Sequence, residues 1–498
     1  MGTGSQDPLR SAERWLARSA REHPDRTAVI SDGRAWSYAE LESNCRAVAR
    51  ALKTRGLAPG ARVAVAAQNG LGWIETLHAA MAVGSPLLPL NTRLGAHELK
   101  HPIAMGRPGI VVYDRRFEAK IREATRDVAV PLVCSDELDA AHPPQNDRAD
   151  DLLEEIDLDR EHALLFTSGT TGPAKGVVLT HENQLASAEA SRAHLGSRSE
   201  DRWLLCLPLF HVGGMAIPLR ASIDAQCVVV HPSFNAEAVA KALFEEQITL
   251  ISLVPTMLHR LLQVLPSAPP ALRCALIGGG PIPEALLEAA AERGIPVAPT
   301  YGLTESASQA ATGTPGDQRS GVPPLPGTEL EIRDPEGKAV GTGRAGEVCI
   351  RGPQVMRGYL NDTEANARAL RSGWLHTGDV GLVDAAGRLH LLDRRSDLIV
   401  SGGENVYPSE IEAVLLRHPG LRDAAVVGET DPEWGQRVVA HVVLEADSSR
   451  NESDLEAHCR AQLAGFKVPR RFYFREQLPR SAGGKLLRRE LRSQQSPS

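Results

Sequence analysis

Phe166-Thr167-Ser168-Gly169-Thr170-Thr171-Gly172-Pro173-Ala174-Lys175-Gly176 follows directly on the apolar run Ala163-Leu164-Leu165. That order predicts a strand running into an anion-cradling loop. Glycines let backbone N–H groups turn toward an anion, hydroxyls add donors, and a lysine supplies a point charge for nucleotide phosphates. Counted from Gly169, the phosphate loop of the Gly-x4-Gly-Lys-Ser/Thr type needs glycine where Ala174 stands and serine or threonine where Gly176 stands, so that motif is absent. The stretch points to ATP held by another kind of loop and removes the main support for a kinase or GTPase reading. Alone, the same residues also suit a surface turn.

Strand and helix patterns alternate on both sides of this loop. Residues 12 to 23 read as an amphipathic helix and Thr27-Ala28-Val29-Ile30 as a strand, and Ser37-Tyr38-Ala39-Glu40 opens a helix through a capping box. Arg62-Val63-Ala64-Val65-Ala66-Ala67 predicts a strand followed by a helix from Gly72 to Val83. Further strands are expected at 110–113, 163–166, 227–230 and 248–254, which implies wound sheets with helices on both faces. Residues 136 to 159 are acidic, free of aromatics and broken by Pro143-Pro144, and read as a solvated connection. From Gly327 to Arg351 short alternating strands with Gly/Pro turns imply an antiparallel sheet or small barrel. A smaller α+β unit follows Asp393, with a strand at 424–428 and a helix around Glu452 to Leu463. No internal repeat is evident.

The expected fold class is therefore α/β: a large N-terminal domain over 1–392, made of wound mixed or parallel sheets plus a small barrel-like β region, and a smaller mobile α+β domain over 393–498. A chain of 498 residues is long enough for two cores. Hydrophobic residues at 42% and charged residues at 23% suit a soluble globular protein, and a net charge of -7 offers no broad basic field for nucleic acid. The seven cysteines are scattered, odd in number and never spaced Cys-x-x-Cys, which argues against a disulfide framework or zinc site and for reduced thiols. The N-terminal residues lack a secretion-signal pattern and no apolar run reaches about 18 residues. A cytoplasmic protein without a membrane span is expected.

Four more segments stand out beside the loop at 166–176: Thr300-Tyr301-Gly302-Leu303-Thr304-Glu305, Thr377-Gly378-Asp379, Asp393-Arg394-Arg395-Ser396-Asp397 and Gly483-Gly484-Lys485. In these five segments, in this order, the chain resembles the adenylate-forming superfamily of acyl-CoA synthetases, luciferases and peptide-synthetase adenylation domains, from about residue 12 to about residue 492. The resemblance implies an AMP-forming acid-thiol ligase using ATP, Mg2+ and coenzyme A. Adenylation of a carboxylate concentrates negative charge at the α-phosphate, so donors, a cation and metal must converge there.

By this resemblance Thr167, Ser168, Gly169, Thr170, Thr171, Gly172 and Lys175 hold the departing β- and γ-phosphates, Thr304 contacts the α-phosphate and Glu305 holds magnesium. Asp379 accepts the ribose hydroxyls and Arg394 adds a donor to the ribose side. Tyr301 stacks on adenine. Gly278 and Gly279, with Gly280, let backbone approach adenine or substrate; Pro283 stands where a dinucleotide fingerprint needs its last glycine. Lys485 reaches in from the small domain during adenylation. Ser396 takes the hinge position, where relatives often carry aspartate or lysine, so the hinge electrostatics differ here. Gly402 and Gly403, with Glu404 and Asn405, line the approach of the CoA thiol after a large rotation at the hinge.

The segments 393–399, 301–309 and 88–94 are most similar to the o-succinylbenzoate-CoA ligases of menaquinone biosynthesis. A substrate with two carboxylates calls for a cation on the one that does not react, and Arg220, downstream of His211 in a segment bordering the acyl pocket, is the candidate. By the resemblance His211 lines or gates that pocket, which the segment with Gly278 and Gly279 also frames. Anthranilate, benzoate, salicylate or a fatty acid remains an alternative, because small changes of pocket shape exchange one acid for another at a cost of about 1 to 3 kcal/mol. A carrier-protein thiol in place of CoA and a homodimer both stay open. A nucleotide sensor without catalysis is disfavoured, since a binder has no need for Glu305, Asp379 and Lys485 together.

Overall fold

Aliphatic and β-branched runs of four to seven residues become strands, and the longer periodic stretches between them become helices that cover the sheets. The computed structural model describes residues 10–493 except 139–151, 168–173, 266, 281, 318–320, 395–398, 402–403, 432–433, 447, 449–450, 464, 482–483 and 485. Two compact units result. One is Met1–Glu329 with Ile350–Leu375, and the other is Leu330–Cys349 with His376–Ser498.

The first unit is built on two large sheets. In the seven-stranded sheet the order is Gly358–Tyr359, Lys175–Thr180, Glu161–Thr167, Leu87–Pro89, Val63–Ala66, Ile110–Tyr113 and Leu132–Cys134. The pairs from Glu161–Thr167 to Leu132–Cys134 are parallel and the two at the other end antiparallel. The eight-stranded sheet runs Ala311–Thr312, Val297–Tyr301, Cys274–Ile277, Leu250–Leu253, Arg202–Leu205, Cys227–Val230, Thr27–Ser31 and Arg34–Ser37. It is parallel except at both edges. The predicted strands 110–113 and 227–230 appear with their expected bounds. Both bonds of the Ser37–Glu40 capping box are made, and helix Tyr38–Thr54 follows.

Two expectations change. Helix Trp15–Glu22 begins later than residue 12, because Ser11–Glu13 is a strand paired with Glu155–Asp157. The end of the acidic stretch is therefore structural rather than a solvated connection: Arg14, 1% exposed, donates to Leu153 O at 2.6 Å and pairs with Glu42, and Arg46 pairs with Glu154. Acidic composition concealed this, since paired and solvated carboxylates look alike in a sequence.

Gly346–Arg351, Trp374–Val383 and Leu389–Arg394 belong to a half-barrel sheet, where the Gly/Pro-punctuated pattern implied an antiparallel sheet or small barrel. A further sheet orders Glu404–Val406, Ile399–Ser401, Gly435–Leu444 and Leu421–Asp431, with Phe472–Phe474 parallel to Gly435–Leu444. Helix Pro408–Leu415 packs Ile411, Val414 and Leu415 into its core, and helix Glu452–Arg460 stops before Leu463. All seven cysteines are buried and free. Among the described residues no helix is long and apolar enough to cross a membrane.

Candidate active site

Three parallel strands of the eight-stranded sheet, Arg202–Leu205, Cys274–Ile277 and Val297–Tyr301, end on one edge, and each runs into a predicted site segment. These are Leu207–Gly214, Gly278–Gly280 and Gly302–Glu305. Open parallel sheets bind ligands at their carboxyl edge, because there the backbone leaves the ladder and its polar groups become available. Gly279 and Gly280 are exposed, Gly278 lies against Thr300, and Tyr301 is 7% exposed. Thr304, Glu305 and Ser306 form one 3-10 turn whose start is closed by Leu303 N–H donating to Ser306 Oγ at 3.0 Å.

The anion loop bridges an antiparallel hairpin, with Thr167 opposite Lys175 and Phe166 opposite Gly176. Ser168, Gly169, Thr170, Thr171 and Gly172 lie outside the described residues. A Cβ on Gly176 would stand 2.9 Å from Leu164 Cδ1 and 3.2 Å from Phe166 Cζ, which accounts for glycine where the other loop type carries a hydroxyl. His101 Nε2 lies 2.9 Å from Ala174 O and ties the end of the loop to helix Ala96–Gly106. Lys175 Nζ sits 5.1 Å from the Tyr359 ring centroid, within cation–π range. The Tyr359 hydroxyl donates to Glu305 Oε1 at 2.9 Å. Burial and then the neighbouring Glu305 charge raise the Tyr359 pKa, so the phenol keeps its proton and remains a donor. Met356 N–H donates to Glu305 O at 2.8 Å, which fixes the same turn from the backbone. Thr167, Lys175, Tyr359 and Glu305 are all half-buried.

On the acyl side Arg220 is 4% exposed, in helix Val212–Asp224. Its Nη2 donates to Ser187 Oγ at 3.3 Å, and its guanidinium lies 5.8 Å from the Trp203 ring. The Ser187 hydroxyl donates in turn to Ala307 O at 2.7 Å, two residues beyond Glu305. Burial lowers the Arg220 pKa to about 10, against the opposing pull of Asp224. Arg220 Nε has no partner, and among the described residues no carboxylate forms an ion pair with Arg220. A buried cation left this way favours an anion that arrives with a ligand. His211 starts the same helix as an exposed residue edge-on to Phe210 at 4.7 Å; surrounding protein mass and then the Arg93 charge lower its pKa. Asn69 holds the loop before it, donating to Leu207 O at 2.9 Å and accepting from Leu209 N–H at 3.0 Å.

In the second unit Asp379 is 6% exposed, and its register partner across the antiparallel pair is Arg394. The lysine loop is closed by a bridge between Arg480 and Leu486, and Gly484 O accepts from Arg480 Nη1 at 3.1 Å. Lys485 itself, Ser396, Gly402 and Gly403 lie outside the described residues.

A family model described as AMP-binding enzyme matches residues 16–360, and one described as AMP-binding enzyme C-terminal domain matches 410–485. The chain is an AMP-binding enzyme. It is 40% identical over 484 residues to a 2-succinylbenzoate--CoA ligase of Bacillus cereus, covering 96% of this chain and 98% of that one. A Bacillus licheniformis protein of the same name is 39% identical over 481 residues, again covering 96% and 98%. Among solved structures, the o-succinylbenzoate CoA synthetase of Bacillus subtilis with its acyl-adenylate intermediate superposes with a TM-score of 0.92 at 35% identity, covering 98% of this chain and 99% of that one. The same Bacillus subtilis enzyme with ATP and magnesium ion gives 0.90 at 36% identity, covering 97% and 99%.

Three residues of this AMP-binding enzyme escaped sequence reading: Tyr359, Ser187 and Asn69. Each acts across more than 50 residues of chain or between two elements, on Glu305, on Arg220 and on the His211 loop respectively. The Gly358-Tyr359 dipeptide beside the apolar Leu360 was the one available signal for an interior phenol.

Proposed function

We propose that this AMP-binding enzyme joins o-succinylbenzoate to coenzyme A, and that Arg220 holds the carboxylate that does not react. One substrate carboxylate oxygen attacks the α-phosphorus of ATP while the bond to the β-phosphate oxygen breaks, and pyrophosphate leaves. The CoA thiolate then attacks the acyl carbon, and AMP leaves. The observation that carries the substrate choice is the buried Arg220 guanidinium without a carboxylate partner among the described residues. The relatives' shared name supports the same choice. A single-carboxylate acid would leave that cation uncompensated.

Glu305 suits a divalent cation, being half-buried with one oxygen fixed by Tyr359. Magnesium, when bound there, supplies charge neutralisation at the phosphates. Lys175 and the hydroxyls and N–H groups of 167–172 hold the departing phosphates, Thr304 faces the α-phosphate, Tyr301 flanks adenine, and Asp379 with Arg394 takes the ribose. Lys485 serves adenylation from a C-terminal domain that we bound at Asp393 and that turns about Ser396, bringing Gly402 and Gly403 to the thiol. We read the enzyme as cytoplasmic and as acting without nucleic acid.

The test is selectivity. Replacement of Arg220 by alanine should raise the KM for o-succinylbenzoate about 10- to 100-fold, the worth of one charge-assisted hydrogen bond or two, and change the KM for benzoate little. Equal effects on both acids would remove Arg220 from substrate recognition.

A further inference from the structure

Glu347, Cys349 and His376 bring a carboxylate, a thiol and an imidazole within 4.8 Å of one another. All three are buried, at 9%, 0% and 8% exposure, and the reaction as written above uses none of them. They lie beside the Thr377-Gly378-Asp379 turn. Glu347 Oε1 accepts from Gly378 N–H at 3.1 Å. Glu347 Oε2 lies 3.0 Å from His376 Nδ1, which must carry the proton because a carboxylate only accepts. The next residue, Val348, accepts from the Thr377 hydroxyl at 2.8 Å, and Thr377 Oγ1 accepts from Asp379 N–H at 3.1 Å. Residues 376 to 379 are thus tied in succession to Glu347, Val348, Glu347 and Thr377.

The turn needs such ties. Gly378 has φ +71, a left-handed conformation, and the pairing register shifts just beyond it, between Val380 and Gly381. At such a point the backbone direction that carries the Asp379 carboxylate depends on the bonds made to Gly378 and Thr377. We propose that Glu347 and His376 are positioning residues for Asp379, holding the turn so that its carboxylate is presented to the ribose hydroxyls of ATP. The proposal rests on the ribose role given to Asp379 above. Cys349 Sγ packs beside the same nitrogen, 3.4 Å from His376 Nδ1, and as a weak donor reaches Glu347 O at 3.9 Å. Zinc favours the same three ligand types, but here both carboxylate oxygens already accept hydrogen bonds from the turn.

The experiment compares ATP with 2′,3′-dideoxy-ATP in the pyrophosphate-release assay. The wild-type enzyme should prefer ATP by about tenfold or more in kcat/KM, the worth of hydrogen bonds to an ionised carboxylate. Glu347→Ala should bring that preference close to one, mainly through the KM for ATP. Glu347→Gln, which keeps an acceptor for Gly378 N–H, should retain most of it. Equal loss on both nucleotides with the preference intact would reduce Glu347 to a packing role and overturn the proposal. If Asp379→Asn abolishes the preference while Glu347→Ala keeps it, the positioning role fails alone; if Asp379→Asn also keeps it, the ribose reading fails. Should Glu347→Ala not fold, Glu347→Gln and His376→Gln read in the same ratio decide, with an unchanged ratio in both sinking the idea. One zinc per purified wild-type chain, lost in Cys349→Ser, would replace positioning by a metal centre.

Discussion

At the residue scale the magnesium role proposed for Glu305 rests on a side chain oriented by a phenol 54 positions away. Tyr359→Phe removes one hydrogen bond to a carboxylate and leaves the ring beneath Lys175. The expected result is a roughly tenfold fall in kcat/KM for ATP and a higher magnesium concentration for half-maximal rate, with the Tm little changed, since a hydrogen bond to a charged group contributes about 1.5 to 3 kcal/mol. A magnesium titration on the two proteins checks this, and superimposable curves would detach Tyr359 from the metal site. Residues whose chemistry is local, such as Lys175 after its glycines or Asp379 after Gly378, were legible in the sequence as candidates. Tyr359, Ser187 and Glu347 were not, because each acts through a partner that only the fold brings near.

At the element scale, strands and capped helices were legible wherever one period dominated, as in the exact bounds of 110–113 and 227–230 and in the Ser37–Glu40 box. Strand Ser11–Glu13 was not, because so short a run of Ser, Ala and Glu earns its strand conformation only from Glu155–Asp157. Strand Glu161–Thr167 and helix His181–Leu195 also bury two histidines face to edge, His162 and His181, 5.0 Å apart and beside Trp15. Burial lowers the His181 pKa to about 4 and the His78 pKa to about 3, and burial with the neighbouring His181 lowers that of His162 well below its ordinary value. In the unfolded chain each titrates near 6.5. Their neutral forms therefore contribute stability that is fully present above about pH 6.5 and is lost as pH falls toward the folded values. Each adds a slope of at most about 1.4 kcal/mol per pH unit. His162→Phe should make the loss of unfolding free energy between about pH 6 and pH 4.5 shallower, measured by denaturant melts. An unchanged slope would mean that His162 already takes up a proton in the folded protein.

At the scale of the whole molecule, two sheets of the first unit carry the hairpin proposed for the phosphates and the carboxyl-edge loops, while the segments proposed for the ribose and for the adenylation lysine belong to the second unit. Dividing the chemistry in this way suits a reaction in two steps, adenylation and thiolysis, that need different faces of one small domain. The order of the five motifs made the family legible from the sequence. The substrate was less so, because exposure of Arg220 or His211 depends on packing that no short motif records: the arginine proves buried and the histidine exposed. The most direct measurement is mass detection of products from ATP, magnesium and o-succinylbenzoate, with and without CoA. Without CoA the account predicts the o-succinylbenzoyl-adenylate and pyrophosphate; with CoA, the thioester and AMP. ADP and phosphate instead, or a thioester formed with no adenylate detectable under either condition, would contradict it.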